Sequence, residues 1–186
     1  RVGPENLVVF ASTQDAEATH QWDASVPYTV VRWPRRVMFP TPATAREVQR
    51  LIRVHGIATV WFGAAAPLAL MGAAAKRAGA TNVIATTHGH EVGWDMLPVA
   101  RRVLSIIGHS ADTVTYISDY TRCRLTALGT RPRFVPLPSG VDTEFFRPAS
   151  ASQRAATRQS LGVGDDPLVV CSSRLVARKG QDVLIR

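Results

Sequence analysis

The chain has 186 residues, 46% of them hydrophobic, and its 22 basic side chains outnumber 14 acidic ones to give a formal charge of +8. This composition predicts a packed soluble core in one domain or two small ones. It excludes a bilayer-spanning segment, because every apolar run is too short or is interrupted. The positive charge favours an anionic partner, whether nucleic acid, a phosphorylated ligand or an anionic lipid surface.

Apolar runs and helical segments alternate along the first 148 residues. Strands are predicted over residues 7–10, 28–33, 57–62, 82–86, 113–117 and 133–135. Helices are predicted over residues 42–55, 67–77, 97–107 and 119–128. This alternation is typical of right-handed βαβ units and a mostly parallel sheet, so the predicted fold class is α/β with a Rossmann-like domain.

The remainder of the chain is predicted to begin a second unit of the same kind. Residues 148–153 are small and polar, which suits a linker, and residues 154–161 are predicted to be helical. The apolar run from Leu168 to Ser172 is predicted as a buried strand, with a loop and a helix after it. We therefore expect one domain over residues 1–148, and a linker with the first βα unit of a second domain over residues 149–186.

The two cysteines, Cys123 and Cys171, lie far apart and lack the spacing of a metal or redox motif. Free cysteine is among the residue types most often buried, so we expect Cys171 to be a small core residue. The absence of a disulfide pattern indicates a reducing compartment.

Two basic side chains follow the predicted strand at residues 168–172. Arg174 is expected at the carboxyl end of that strand and Lys179 at the start of the next helix. Ligands bind at this edge of an open α/β sheet, and a helix N-terminus favours anions. A guanidinium and an ammonium placed there would form a clamp for a diphosphate. A solvated loop that happens to be basic is equally compatible with the spacing.

The loop after the predicted strand 82–86 contains His88, His90 and Glu91. Two imidazoles and a carboxylate invite a metal interpretation, but a third well-placed ligand is not evident and the spacing differs from helical zinc motifs. We favour a role for His88 in contacting substrate or phosphate. A histidine bonded only to backbone remains the alternative.

Two further segments carry residues that a catalytic site could use. Ser118 follows a strand and opens a helix, so it is predicted to be an N-cap; the Gly-x-Ser-x-Gly elbow of a nucleophilic serine is missing. The segment 138–142 is a tight turn in which Gly140 can adopt a positive φ. For Asp142 in that turn, a structural and a functional role are equally open.

The predicted helix 42–55 carries Arg46, Arg50 and Arg53 on one face. Such a face can lie against anionic lipid, although a solvated face is the common alternative. Nucleic acid is disfavoured as a partner, because no recognisable reader motif is present and aromatic residues make up only 7% of the chain.

Four blocks of the chain, in their order and spacing, resemble glycosyltransferase family 4. The blocks are Thr87–Glu91, Tyr116–Ser118, Pro138–Pro148 and Ser173–Asp182. One branch of the family, the actinobacterial phosphatidylinositol mannoside mannosyltransferases of the PimB type, is more similar still over residues 60–70, 88–94 and 96–100. The resemblance covers essentially the whole chain.

The resemblance implies a GT-B fold, with two Rossmann-like domains, and a retaining transfer of mannose from GDP-mannose to a phosphatidylinositol mannoside. Arg174 and Lys179 match the family's basic pair on the donor diphosphate, and His88 matches its histidine near the transferred sugar. These three are the expected catalytic residues, and the basic pair makes a metal cofactor unnecessary. Arg46, Arg50 and Arg53 match a basic surface helix that implies a membrane or acceptor surface. We therefore expect a cytoplasmic protein, peripherally associated with the inner face of the plasma membrane.

The resemblance also implies that parts of the family's fold are absent from this sequence. The first strand and a glycine-rich loop would precede Arg1, and paired glutamates that hold the donor would follow Arg186. We therefore expect the chain to be a fragment that is inactive by itself.

Three alternatives stay open on the sequence alone. The nearest is another family 4 transferase that uses a different nucleotide sugar and a soluble acceptor. The second is a GT-B epimerase, which would consume a nucleotide sugar without an acceptor. The third is a non-enzymatic module that binds a nucleotide sugar or a lipid without turnover.

Overall fold

The structure, a computed structural model, describes residues 2–89, 93, 97–130, 132–176 and 179–186. The chain divides into two compact units, Arg1–Ser139 and Gly140–Arg186. The sequence predicts a domain boundary after residue 148. In the structure, residues 140–148 belong to the second compact unit.

Strands and helices alternate along the first unit. In chain order the elements are β1 (Val8–Ser12), α1 (Ala16–Ser25), β2 (Thr29–Trp33), α2 (Pro42–His55), β3 (Thr59–Phe62), α3 (Gly72–Ala78), β4 (Asn82–Thr86), α4 (Pro98–Ser110), β5 (Thr113–Tyr116), α5 (Asp119–Thr126) and β6 (Arg133–Pro136). Short 3₁₀ helices occupy Pro4–Asn6 and Leu68–Met71. The predicted α/β class is confirmed.

Every strand pairing in the described part of this unit is parallel. β1 pairs with β2, and β3, β4, β5 and β6 form a four-stranded sheet in chain order. One apolar cluster supports both sheets. It combines Val83 and Ala85 of β4 with Ile52 of α2 and Leu104 of α4, and Phe10 of β1 packs against it partly buried. The two sheets of the first unit therefore share one core.

Local signals place both ends of α2 and the start of α5 where the sequence predicts them. The Thr41 hydroxyl accepts a hydrogen bond from the backbone N–H of Thr44 at the start of α2, and Gly56 ends that helix with φ of 61°. Ser118 caps α5 by accepting from the N–H of Thr121. Polar N-caps and a left-handed C-terminal glycine satisfy backbone groups that the helix itself leaves unpaired.

Helix α1 was not predicted from the sequence. Asp15 caps it by accepting from the N–H of Ala18, but none of its side chains is buried. Recognition of a helix from sequence depends mainly on an apolar stripe that faces a core. Because α1 has no such stripe, its N-cap was the only signal for this helix in the sequence.

The second unit differs from the prediction in its first half. Helix α6 (Ala151–Ser160) begins inside the predicted linker 148–153. Ser150 accepts from the N–H of Gln153, and the Gln153 side chain accepts from the N–H of Ser150. This reciprocal capping box starts the helix earlier than the predicted residue 154.

The predicted strand at residues 168–172 is wrong. All five residues are described, and none of them belongs to a strand. Val169 and Val170 are 73% and 76% exposed, and Cys171 is exposed as well, so its predicted place in a core is also wrong. A strand needs a neighbour to bond its backbone, and the described residues of this unit supply none. Helix α7 (Gln181–Ile185) follows as predicted.

An aspartate at the start of β5 joins three elements of the first unit. The Asp112 carboxylate accepts from Lys76 Nζ on α3 at 2.8 Å and from the backbone N–H of Val83 on β4 at 2.8 Å. The hydrogen bond from Lys76 is the largest cause that holds the pKa of Asp112 below its usual value. The carboxylate therefore stabilises the folded state in its charged form.

We predict that Asp112→Asn lowers the free energy of unfolding by about 1 kcal/mol at pH 7, a modest value because solvent screens this partly exposed pair. The lowered pKa makes the stabilisation fully present above the unfolded value of about 3.9 and lost as the pH falls through the folded value. The gap between wild type and variant should therefore be constant between about pH 7 and pH 5 and shrink below about pH 4. Urea unfolding across this pH range measures it.

Asp119→Asn is the matched control for that experiment. Asp119 pairs with Arg122 on the surface of α5 and is 82% exposed, so its removal should change stability little. A gap between wild type and Asp112→Asn that persists unchanged to pH 2 would contradict the assignment.

Candidate functional site

The loops that follow four parallel strands meet at one edge of the sheet. Gly63 follows β3, His88 lies two residues after β4, Ile117 follows β5 and Pro138 lies two residues after β6. A cavity of about 300 Å³ opens among them, which we call the edge cavity. Its lining consists of Trp61, Gly63, Thr86, His88, Ile117, Leu137, Pro138 and Ser139. The position agrees with the general rule that open α/β sheets bind ligands beyond the carboxyl ends of their strands.

His88 lies in the wall of the edge cavity, exposed to solvent. Its Nε2 lies 2.7 Å from the carbonyl oxygen of Gly63. Because a carbonyl oxygen only accepts, this bond requires the proton on Nε2. The backbone-bonded alternative considered for this histidine is thus present, yet the ring still borders the cavity. A catalytic role for His88 stays a prediction.

Glycine at position 89 allows the loop to leave β4 close to the end of β5. Gly89 has φ of 83°, and a Cβ atom there would lie 3.0 Å from Cδ1 of Ile117. A side chain at this position would therefore combine backbone strain with a close contact.

The rest of the histidine loop bears on the metal interpretation. His90 and Glu91 lie outside the described residues. Among the residues that are described, no group of three or more histidine, cysteine or acidic side chains could hold a metal ion. The expectation that no metal is needed stays a prediction.

Hydrogen bonds of threonine hydroxyl groups fix two residues that line the edge cavity, Trp61 and Thr86. Trp61 Nε1 donates to Thr86 Oγ1 at 2.6 Å, and Thr115 Oγ1 donates to the same oxygen at 3.0 Å. Thr87 Oγ1 donates to the carbonyl of Thr115 at 2.8 Å. Sequence reasoning missed this network. Threonines near the ends of β4 and β5 were the available signal, but their facing positions depend on the register that pairs Thr86 with Thr115.

The predicted tight turn at residues 138–142 is wrong, because no turn is assigned there and the next turn lies at residues 143–145. Gly140 does not adopt a positive φ, so that expectation is wrong. The Asp142 carboxylate instead accepts from the N–H groups of Glu144 and Phe145 at 2.9 and 3.0 Å. An aspartate side chain that accepts from backbone N–H groups two and three residues ahead stabilises the turn that follows it. The structural role of Asp142 is therefore the one that the contacts support.

The two residues predicted to form a diphosphate clamp, Arg174 and Lys179, lie in the second unit. Arg174 and Lys179 are both exposed, and α7 begins two residues after Lys179. The carbonyl of Arg174 accepts from Gln181 Nε2 at 2.8 Å, and the N–H of Lys179 donates to the carbonyl of Val176 at 2.9 Å. Both contacts involve backbone atoms of these two residues, and both residues are exposed to solvent. Binding of a diphosphate stays a prediction.

Helix α2 separates its apolar and basic residues as the spacing indicates. Arg46, Arg50 and Arg53 are exposed, whereas the opposite side buries Thr44, Val48, Leu51 and Ile52. Arg50 pairs with the Glu47 carboxylate at 2.7 Å, and the hydrogen bond from Arg50 is the main cause of the lowered pKa of Glu47. Glu47 therefore offsets one of the three positive charges on this face. None of the described helices has the length and hydropathy needed to cross a bilayer.

Residues 5–145 match the family model described as Glycosyltransferase Family 4. The chain is 56% identical, over 98% of its length, to a GDP-mannose-dependent monoacylated alpha-(1-6)-phosphatidylinositol monomannoside mannosyltransferase of Corynebacterium glutamicum, covering 49% of that protein. It is 52% identical over its full length to a GDP-mannose-dependent alpha-(1-6)-phosphatidylinositol monomannoside mannosyltransferase of Mycolicibacterium smegmatis, again covering 49%. A protein of the same description from Mycobacterium tuberculosis is 55% identical over 85% of the chain, which covers 41% of that relative. The chain spans about half the length, or less, of these curated relatives.

Two loop glycines, Gly89 after β4 and Gly140 in the second unit, should respond differently to replacement by alanine. We predict that Gly89→Ala lowers the free energy of unfolding by about 1 kcal/mol or more, because φ of 83° disfavours a side chain and Ile117 crowds it. Gly140→Ala should change stability by less than about 0.5 kcal/mol, since nothing lies within 4 Å of the added Cβ. Thermal or urea unfolding of both variants tests this, and a larger loss at Gly140 would contradict it.

Proposed function

The chain belongs to glycosyltransferase family 4, and we propose that the whole protein is a retaining mannosyltransferase that moves mannose from GDP-mannose to a phosphatidylinositol mannoside. The observation that carries this proposal is 52–56% identity to relatives whose names state that donor and that class of acceptor. The edge cavity and the exposed basic pair agree with it, because one offers room for a sugar and the other offers charge for a diphosphate.

In this proposal, the basic pair acts on the leaving group. Negative charge develops on the diphosphate as the bond from mannose C1 to the phosphate oxygen breaks. The Arg174 guanidinium can bind phosphate oxygens through two parallel hydrogen bonds, and the Lys179 ammonium adds a mobile point charge. Stabilising developing charge in this way is usually the largest electrostatic contribution to catalysis. We include in the proposal that no metal ion takes part at this step.

His88 acts on the sugar side. Its bond to the Gly63 carbonyl fixes the orientation of the ring at the wall of the edge cavity. From this position beside the edge cavity, His88 is proposed to contact a hydroxyl or phosphate oxygen of the substrate.

The basic face of α2 is proposed to bring the protein to its lipid acceptor. Each arginine near an anionic lipid surface contributes about 1 kcal/mol of attraction. Glu47 pairs with Arg50 and therefore reduces the total attraction of the three arginines. The apolar side of the helix is buried in the core, so charge carries the contact. We propose peripheral association with the inner face of the plasma membrane.

We predict that Arg174→Ala lowers the turnover of the whole protein on the order of a hundredfold or more, since one charged contact to the transition state is lost. GDP release from GDP-mannose, measured with vesicles that contain phosphatidylinositol mannoside, gives the rate. Arg154→Ala, which removes an exposed arginine of α6, is the matched control and should retain wild-type activity. Near-normal turnover of Arg174→Ala would overturn the clamp, whereas no GDP release by wild type would overturn the donor and acceptor.

The membrane contact has its own test. Replacing Arg46, Arg50 and Arg53 together with glutamine should weaken binding to anionic vesicles about tenfold or more at low salt. Affinity for GDP-mannose should not change. The control replaces Arg77, Arg101 and Arg102, also exposed, and removes the same charge. An equal loss of vesicle binding in both triple variants would show that net charge acts instead of this face.

A further inference from the structure

Trp61 is a large aromatic side chain of the sheet that borders a cavity. Trp61 lies on β3 and is 60% exposed, whereas the next residue, Phe62, is 7% exposed and part of the core. The side chain of Trp61 borders the edge cavity that also contains His88.

The indole of Trp61 is held in place. Its N–H donates to Thr86 Oγ1, and Thr86 is itself buried and accepts a second bond from buried Thr115. The ring cannot rotate away without breaking the bond to Thr86. Side chains that are fixed before a ligand arrives lose little conformational entropy when they bind it.

The edge cavity combines apolar and polar walls. Trp61, Ile117, Leu137 and Pro138 contribute apolar surface, while Ser139 and Thr86 contribute hydroxyl groups and His88 an imidazole. Its volume of about 300 Å³ is at the lower end of the range for small-molecule sites. Apolar walls with a few convergent polar groups are typical of such sites.

We propose that the indole face of Trp61 is the platform on which a six-membered polyhydroxylated ring of the acceptor stacks. Such a ring carries C–H bonds with partial positive charge on one face, which complement the negative face of an aromatic ring. Its hydroxyl groups then reach the polar side chains at the rim. The inference rests on the proposed function, because that function supplies an acceptor with inositol and mannose rings.

A purely structural Trp61 would behave differently from a platform. The same side chain also borders an apolar cavity lined by α2, including Val48 and Leu51. Loss of packing there lowers stability and the amount of folded protein, which lowers the apparent kcat but leaves both KM values unchanged. Loss of a platform raises the KM for the acceptor alone. The KM for each substrate, measured on folded protein, therefore separates the two roles.

The experiment compares Trp61→Leu and Trp61→Phe in the whole protein, with thermal unfolding to normalise for folded protein. Trp61→Leu should raise the KM for the phosphatidylinositol mannoside about tenfold, with kcat and the KM for GDP-mannose unchanged. Trp61→Phe, which keeps an aromatic face, should recover most of the loss. Trp22→Leu is the matched control, since Trp22 is 46% exposed but packs beside Tyr28 on a different part of the unit.

Ring binding is measured separately from turnover. Saturation-transfer NMR with myo-inositol and with methyl α-D-mannopyranoside should show signal at ring protons of at least one probe with wild type, and a loss in Trp61→Leu. The probe that responds identifies which ring stacks. This measurement decides the inference even if wild type transfers no mannose, which would refute the proposed function alone. Equal saturation in wild type and Trp61→Leu, no saturation in wild type, or a raised KM for GDP-mannose instead of acceptor would overturn it.

Discussion

The parallel register of β3, β4, β5 and β6 is the constraint on which the site in the first unit depends. Parallel strands bring their carboxyl ends to one edge, so Gly63, His88, Ile117 and Pro138 can surround one cavity. The register is held by paired backbone and side-chain bonds: the N–H of Asp112 donates to the Val83 carbonyl, and its carboxylate accepts from the Val83 N–H. A slip of one residue would turn every side chain of a strand to the opposite face. Trp61 and Thr115 would then no longer meet at Thr86.

Helix α2 links that sheet to the surface of the same unit. Val48 and Ile52 are buried in the core cluster, while the arginines on the other side face solvent. Gln49 donates to the carbonyl of Ala74 at 3.2 Å, which fixes α2 against α3. A helix anchored in this way presents its charges in a fixed arrangement, and a lipid surface would meet a pattern that the core has set.

Sequence reasoning succeeded where the signal was local. Both ends of α2 and the start of α5 follow from Thr41, Gly56 and Ser118, each of which acts on backbone groups within a few residues. It failed where the structure depends on a neighbouring strand, or on a side chain other than the one expected to form the turn. Residues 168–172 have the composition of a strand but no strand beside them in the described part of their unit. No turn forms at residues 138–142, and the Asp142 side chain stabilises the next turn, at residues 143–145.

The residues of the candidate site also fall into those that the sequence could identify and those that it could not. His88, Arg174 and Lys179 could be named from sequence because motifs and charges are visible in it. The Trp61 network could not, because its bonds join residues 25 and 29 positions apart and require three strands in register.

The physics of the two kinds of group explains this difference. Coulomb attraction falls slowly with distance, so an exposed arginine or lysine on a short loop can serve a diphosphate without a precise wall around it. Dispersion contacts with a neutral ring are lost within about an ångström, so they require a fixed surface. The first unit provides such a surface through buried hydroxyl bonds, and the second provides exposed charge. Charged binding residues can therefore be predicted from the sequence, whereas a fixed apolar surface forms only after the strands have paired.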